Sequence, residues 1–493
     1  MALDARTPVL VGAGVAHQRF DDPADAAEAV ALMTTAVRRA GEDARAPALL
    51  SAAEAVFVPR GSWRYRDPGR IVAERIGADA RTVIAELGVL QLTAFTRACR
   101  AIASGDLDVA VVVGGEAKYR DLRGHILGTA PTDTVQAEDV VPDEAIRPAD
   151  EIIPAPERAA GFMSAPLMYS ALETALRSSL GESVAENASA TANLWSAFSE
   201  VAASNPDAWR RDPVTPAFLE HPSAKNPMLA APYTKWHCSQ WNVDQAAAFV
   251  LCSTEAADRA GVPAECRVYP LVAVESNHML AISRRAQLHR APAARLAAER
   301  IADLTGIDVA ASTVADLYSC FPSAVRIQAR ELGLPLDDGH SLSVGGGMTF
   351  GGGALNNATF QALARMVPML RDAPGTTGLL TFISGIITKH GTSVWSTTPP
   401  EEGFAFADIS EDVAAATPAL DVVGDHRGPA SIDAYTVAHE GGEPRYATAL
   451  ARTGDDRRVV VRCDDPEVAA AMTGEEWCGR EVTVDGDRFR PDR

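Results

Sequence analysis

The chain has 493 residues and a formal net charge of −20, from 65 acidic and 45 basic residues. This length exceeds one ordinary domain, so two or three units are expected. Hydrophobic residues make up 47% of the chain, which is enough for a large core and excludes a disordered composition. The acidic balance argues against nonspecific binding to nucleic acid or to an anionic membrane surface. The longest apolar runs, such as 109–113, are far too short to cross a bilayer.

Two further features bear on location and metal content. The N-terminus, MALDARTPVLVG, lacks the basic region and apolar stretch of a signal peptide, so a cytoplasmic location is expected. The seven cysteines form no C-x-x-C pair and no closely spaced even set. We therefore predict neither a structural zinc site nor a disulfide framework, and we expect no bound metal.

Residues 1–119 alternate between apolar runs of strand type and segments of helical period, which indicates a sheet covered by helices on both faces. The predicted elements are strands at 7–16, 55–59 and 107–115 and helices at 25–41 and 92–104.

Residues 120–240 interrupt this alternation. They contain an acidic, proline-containing segment (136–157), then helical patterns, then a stretch rich in proline and asparagine (205–232). We interpret them as an inserted domain that covers one end of the first half, which is completed by residues 241–260.

The alternation returns over residues 261–400, which predicts a second α/β half. The helix and strand that end near Gly115 resemble the pair that ends at Gly385, so the two halves are expected to be related. The predicted elements are strands at 267–274, 314–321, 341–344 and 377–384 and helices at 292–305, 324–332 and 358–370.

Residues 420–493 have a different character. Short alternating segments separated by turns predict a small antiparallel barrel or sheet. These segments lie at 435–440, 446–453, 457–463 and 480–484.

Six segments carry a resemblance to a known family, and they occur in the order of that family: GAG at 12–14, AIASGDLDVAVVVGGEA at 101–117, WNVDQAAAFVLCS at 241–253, DLYSCFPSAV at 316–325, GGGMTFGGG at 345–353 and TKHGTSVWST at 388–397. On these segments, residues 7–396 resemble the thiolase superfamily, closest to sterol-carrier-protein-type thiolases and to type 1 thiolase-like proteins of actinobacteria. The resemblance implies a five-layered α-β-α-β-α fold of two βαβαβ halves with an inserted loop domain. Residues 431–453 and the strands after them resemble the OB-fold domain of partner proteins of thiolase-like enzymes, without the four-cysteine zinc ribbon that those partners usually carry.

The resemblance implies four catalytic positions, and the chain departs from the family at each. Gly88 stands at the position of the nucleophilic cysteine, and Tyr318 stands at that of an asparagine or histidine. The Gly-His-Pro step reads Gly-Gly-Gly at 351–353, and the Cys-x-Gly motif of the second cysteine reads Ile-Ser-Gly at 383–385. Because thiolysis and Claisen condensation need a nucleophile and a base, we predict that the chain has no thiolase activity.

The candidate site residues form two groups. Tyr318, whose hydroxyl could polarise a carbonyl or protonate an enolate, and His390, just after the altered Cys-x-Gly motif, are the candidate catalytic residues. A core tyrosine and a structural histidine are the alternative interpretations. The candidate contacts to substrate are residues that the resemblance places around the thioester: Gly88, Gly345, Gly346, Gly351, Gly352, His278 and Ser384.

Three functions remain open on the sequence. The first is a protein of lipid metabolism that binds a coenzyme A thioester or a lipid-like ligand without thiolase activity. The second is a thiolase-type retro-aldolase that acts on a β-hydroxyacyl-CoA with Tyr318 and the C-terminal domain. The third is a structural partner of another thiolase-like subunit, so a monomer, a homodimer and a mixed pair all stay open. Nucleic-acid binding by the C-terminal segment is not expected, because it is acidic and offers only Tyr435 and Tyr446 for base stacking.

Overall fold

The computed structural model describes residues 3–491. In its first part strands and helices alternate, and local sequence signals set where the helices begin and end. The Asp67 side chain accepts a hydrogen bond from the Arg70 amide at the N-terminus of one helix. Gly105, with a φ of 86°, ends another helix. The elements are β1 (Pro8–Gln18), α1 (Ala29–Asp43), β2 (Ala55–Pro59), α2 (Pro68–Ile76), β3 (Arg81–Ala85), α3 (Leu92–Ser104) and β4 (Val109–Ala117).

The inserted part is mainly helical. Its elements are α4 (Lys118–Leu127), β5 (Glu144–Ile146), α5 (Ala155–Ala159), α6 (Ala165–Leu180), α7 (Val184–Ser204), α8 (Pro216–Glu220), β6 (Met228–Ala231) and β7 (Tyr233–Thr234).

The chain then completes the first half and builds the second. The elements are β8 (Asp244–Ser253), α9 (Thr254–Arg259), β9 (Tyr269–Ser276), α10 (Pro292–Thr305), β10 (Val314–Asp316), α11 (Pro322–Leu332), α12 (Ala358–Asp372), β11 (Thr377–Ser384), β12 (Lys389–Ser396), β13 (Ala405–Asp408) and α13 (Ser410–Ala416).

Two sheets share one connectivity. In the first sheet, β1 pairs antiparallel with β8, β8 antiparallel with β4, and β4 parallel with β2. In the second sheet, β9 pairs antiparallel with β12, β12 antiparallel with β11, and β11 parallel with β10. The helix before β4 is α3, and the helix before β11 is α12. The predicted relation between the two halves is therefore confirmed at the level of topology.

Helices α3 and α12 fill the layer between the two sheets. Phe95 of α3 meets Phe249, Phe360 and Trp395 edge-on, with ring centroids 5.2, 4.9 and 5.9 Å apart. Helices α1 and α2 cover the other face of the first sheet, and α10 and α11 cover the other face of the second. The predicted five-layered thiolase fold is confirmed.

Five strands of the described C-terminal part close into a barrel: β14 (Arg427–Glu440), β15 (Glu443–Thr453), β16 (Arg458–Cys463), β17 (Glu481–Asp485) and β18 (Arg488–Pro491). Strand β14 pairs with β15, β15 with β16, β16 with β18, β18 with β17, and β17 again with β14. The barrel also carries helix α14 (Pro466–Gly474). The predicted OB-like domain is confirmed, and of the two forms left open by the sequence it has the barrel form.

The barrel is fixed to the inserted part through backbone and buried polar contacts. Strand β14 also pairs with β6, at Val437 and Ala438. On helix α6, the Thr174 hydroxyl donates to the Tyr435 carbonyl oxygen (2.9 Å), and Arg177 donates to the Tyr435 hydroxyl (2.6 Å). These contacts bury one side of the inserted part against the barrel.

The inserted part also covers an edge of the first sheet. Its strand β5 lies parallel to β3, with Ile146 opposite Ala85.

No helix within residues 3–491 has the length and apolar character needed to span a membrane.

Two predicted strands differ from the structure. Residues 341–344 are not a strand, and a 3-10 helix occupies Gly339–Leu342. The amides of Val344 and Gly345 donate to the Asp316 carboxylate, so they are not available to a neighbouring strand. The strand expected at 314–321 ends at Asp316, because the Tyr318 amide donates to the Thr381 hydroxyl instead.

Candidate functional site

Gly88, at the position of the family's nucleophile, lies in the turn before α3. Its φ is +95°, and a Cβ at this position would lie 3.1 Å from Pro148 Cγ and 3.4 Å from Ile152 Cδ1. Residues 148–153 of the inserted part, which we call the cover segment, therefore contact the site that a cysteine side chain would need. A side chain at position 88 would have both a strained backbone and a crowded space.

Gly352 lies in the glycine-rich loop, at the Gly-His-Pro step. Its φ is +118°, and a Cβ there would overlap the side-chain amide of Gln245 on β8. Gln245 is held in place, because its Nε2 donates to the carbonyl oxygens of Gly351 (2.9 Å) and Asp207 (3.1 Å). A Cβ at Gly353 would overlap Ser239 Oγ. A Cβ at Gly351 would overlap the carbonyl oxygen of Gly345, so the loop is closely packed at all three consecutive glycines, with no free space for a histidine.

A small cavity lies beside this loop. It measures about 30 Å³ and is lined by, among others, Asp316, Ser319, Gly345 and Gly351. The Asp316 carboxylate accepts hydrogen bonds from the Ser343 hydroxyl and the Val344 amide, both 2.9 Å, and burial raises its pKa to about 6. A cavity of this size holds one or two water molecules and is too small for a thioester.

Tyr318 follows β10 and is held by its backbone. Its amide donates to the Thr381 hydroxyl (2.8 Å), and its carbonyl oxygen accepts from Gln328 Nε2 (2.9 Å). The ring packs against the apolar cluster that contains Phe321 and Ile383, which Ile153 of the cover segment also contacts. The hydroxyl makes no hydrogen bond within residues 3–491. Burial raises the pKa of Tyr318, so the hydroxyl stays protonated at neutral pH and can donate.

His390 lies on the opposite face of the second sheet from Gly88. It is fully buried, its Nε2 lies 2.9 Å from Thr392 Oγ1, and the negative charge of Glu331 on α11 raises its pKa against the effect of burial. Burial lowers its pKa to about 3, so the ring is neutral. The structure therefore does not bring this predicted catalytic residue together with Gly88 or the cover segment.

The structure places the other predicted contacts, His278, Ser384, Gly345 and Gly346, at separate points. His278 is half-buried, and its Nε2 has no partner among residues 3–491. Burial lowers the pKa of His278, and the negative charge of Asp150 in the cover segment opposes this shift. Ser384 lies opposite Lys389 in the ladder between β11 and β12. Gly345 and Gly346 lie at the start of the glycine-rich loop, where Gly346 has a φ of +86°.

Lys389 is a residue of this centre that the sequence did not single out. Its Nζ donates to the carbonyl oxygen of Gly88 (3.0 Å), and the side chain is buried. Burial lowers its pKa, and the charge of Asp150 opposes this shift. The sequence signal that could have found Lys389 is the Thr-Lys-His run at 388–390. In a strand, neighbouring side chains point to opposite faces, so Lys389 and His390 cannot both face Gly88.

The described residues bring no three or more His, Cys, Asp or Glu side chains together in a way that could hold a metal ion. The chemical groups available are the buried amine of Lys389 at Gly88, the protonated hydroxyl of Tyr318 in the apolar cluster and the unpaired imidazole nitrogen of His278.

Comparison with known proteins agrees with this fold. Residues 408–488 match the additional C-terminal domain of thiolase-like protein type 1. The monomeric SCP2-thiolase-like protein type 1 of Mycobacterium smegmatis is 27% identical, with a TM-score of 0.84, over 99% of this chain and 100% of that one. No curated protein matches the chain significantly.

Two more distant structures share the fold. An Ltp2–ChsH2(DUF35) aldolase is 18% identical with a TM-score of 0.58, and the dimeric peroxisomal thiolase of Saccharomyces cerevisiae is 14% identical with a TM-score of 0.55. Each similarity covers 80% of this chain and 98% of the other. The match to the C-terminal domain and the end-to-end similarity to the mycobacterial protein support the resemblance of the chain to thiolase-like proteins of type 1.

Proposed function

We propose that this protein binds a coenzyme A thioester, or a lipid-like acyl ligand, and does not catalyse thiolysis or condensation. One observation carries the proposal: Gly88 and Gly352 stand where the resemblance expects the nucleophile and the base, and neighbouring side chains contact or occupy the Cβ position of each. These positions are adapted to glycine, so the frame persists in a form that excludes the usual chemistry.

The surroundings of Gly88 suit an acyl group once the cover segment moves. Ile153 packs in the same apolar cluster as Phe321 and Ile383. Displacing the cover segment would free the space that the apolar side chains of Pro148 and Ile152 fill beside Gly88, and an acyl chain buried in their place would be favourable by about 0.8 kcal/mol for each CH₂ group. We therefore expect longer acyl chains to bind more tightly than acetyl-CoA.

Calorimetry with acetyl-CoA, a long-chain acyl-CoA and a β-hydroxyacyl-CoA tests this proposal, with free coenzyme A as the control. We expect saturable binding that strengthens with chain length, and no cleavage of acetoacetyl-CoA when the products are followed by mass spectrometry. Absence of binding by every thioester would refute the proposed ligand class. Thiolysis above the uncatalysed rate would refute the proposed loss of thiolase chemistry.

A second candidate function is retro-aldol cleavage of a β-hydroxyacyl-CoA. The observation that favours it is the unpaired, protonated hydroxyl of Tyr318, a residue whose amide and carbonyl are both hydrogen-bonded and whose ring packs against the apolar cluster that Ile153 also contacts. Such a donor can stabilise or protonate the enolate that carbon–carbon cleavage leaves on the thioester.

Tyr318→Phe separates the two functions. If the protein is an aldolase, turnover of a β-hydroxyacyl-CoA should fall about 10²- to 10⁴-fold while ligand affinity changes little. Tyr446→Phe on the barrel is the matched control and should retain full activity. No turnover by the unmodified protein, or full turnover by Tyr318→Phe, would remove this candidate.

A further inference from the structure

Lysine is rare in this chain: only Lys118, Lys225, Lys235 and Lys389 are lysines among its 45 basic residues. Lys389 is 2% exposed, whereas Lys225 and Lys235 are exposed and Lys118 is half-buried. Burying an ammonium group costs several kcal/mol unless a partner compensates it. Lys389 makes one hydrogen bond, to Gly88, and no ion pair within residues 3–491. A buried cation with so little compensation suggests a ligand.

The position of this amine is defined by strand geometry. In β12, Gly391 faces α3, since a Cβ there would contact Leu92. Lys389 lies two residues earlier and therefore points to the same face. Its Nζ donates to Gly88 in the turn that leads into α3. Pro148 and Ile152 of the cover segment also pack on this turn. The amine and the cover segment thus meet at Gly88.

We propose that Lys389 is the residue that binds the carbonyl oxygen of the thioester ligand. This inference rests on the proposed function, and it identifies the protein atom, Lys389 Nζ, that would contact the ligand. An ammonium group has three N–H donors, and only one is used. The positions at which the family resemblance implies a histidine and a cysteine are glycines, so Lys389 supplies positive charge at a centre that has lost those groups. The charge of Asp150 in the cover segment raises the pKa of both Lys389 and His278 against the effect of burial, so displacement of the cover segment would remove this charge from both groups.

A purely structural role for Lys389, in which it only fixes the turn at Gly88, has different consequences. It would change the affinity for every ligand of the site by the same factor, with or without a carbonyl group. The proposed role changes only the part of the affinity that depends on the carbonyl.

The test compares acetyl-CoA with free coenzyme A by calorimetry on the full chain. We expect the unmodified protein to prefer acetyl-CoA about tenfold, the size of a hydrogen bond to a charged group. Lys389→Met should lose this preference, and Lys225→Met, the exposed control, should keep it. An unchanged preference in Lys389→Met, or an equal loss of affinity for both ligands, would overturn the inference while leaving the proposed function intact. If the unmodified protein binds neither compound, the proposed function fails and this inference fails with it.

A second measurement does not depend on the folding of the methionine variant. The carbonyl stretch of ¹³C-labelled acetyl-CoA should shift to lower frequency when it binds to the unmodified protein, since a charged donor polarises the C=O bond. A bound carbonyl with the frequency that it has in water or higher would contradict the role of Lys389.

Discussion

Replacing Gly352 by alanine should destabilise the protein by about 3 kcal/mol or more. Two costs add at this position. The backbone has a φ of +118°, a region that residues with a side chain rarely adopt, at about 1–3 kcal/mol. The new Cβ would also overlap the buried amide of Gln245, and overpacking typically costs another 1–3 kcal/mol. Urea denaturation followed by circular dichroism measures the loss.

Gly442→Ala is the matched control. Gly442 has a φ of +92° in the turn between β14 and β15, but no atom lies within 4 Å of its Cβ position. We expect a loss of about 1–2 kcal/mol there, from backbone conformation alone. An equal loss of unfolding free energy in the two variants would show that the Gln245 side chain does not crowd position 352. The loop would then have room for a histidine, and the main support of the proposed function would be gone.

Replacing Arg326 by methionine should cost about 3–5 kcal/mol, because it leaves a buried carboxylate without its cation. Glu173 on α6 is fully buried and accepts hydrogen bonds from Arg326 on α11, from Asn187 Nδ2 (2.8 Å) and from the Tyr233 hydroxyl (2.7 Å). Arg326 also donates to Glu182 (2.5 Å). This network joins the inserted part to the second half, so its loss should be seen in the unfolding of both.

Arg330→Met, on the same helix, is the control for Arg326→Met. Arg330 is exposed and makes no ion pair within residues 3–491, so we expect a change below 0.5 kcal/mol. Adding Glu173→Gln to Arg326→Met should recover part of the lost stability, because glutamine keeps an acceptor without the charge. A double variant that is no more stable than Arg326→Met would show that the buried charge is not the cause.

The fold could be predicted from the sequence because its signals are local or carried by motifs. Helical and strand periods marked most elements, and six motif segments implied the two halves. The barrel was left open because its closure depends on β17 returning to β14, a pairing that no local pattern reports. Strand β3 (Arg81–Ala85) was missed, since one short apolar run carries little signal.

The site was less predictable. The motif comparison located Gly88 and Gly352, but not the contacts that crowd them, because Pro148 and Gln245 are far away in the chain. Of the Lys389–His390 pair, the sequence favoured the histidine, on residue type. The register of β12 places the lysine, not the histidine, beside Gly88.

The cover segment begins immediately after the sixth strand of the first sheet. Strand β5 ends at Ile146, and Pro148 already contacts Gly88, so a single residue separates the two. Displacing the segment at this end would disturb the ladder between β5 and β3, so entry of the proposed ligand would have an energetic threshold. The measured affinity would then be the intrinsic affinity reduced by the fraction of molecules that are open. A weak dissociation constant for a thioester would thus report the cost of opening as well as the quality of the site beneath it.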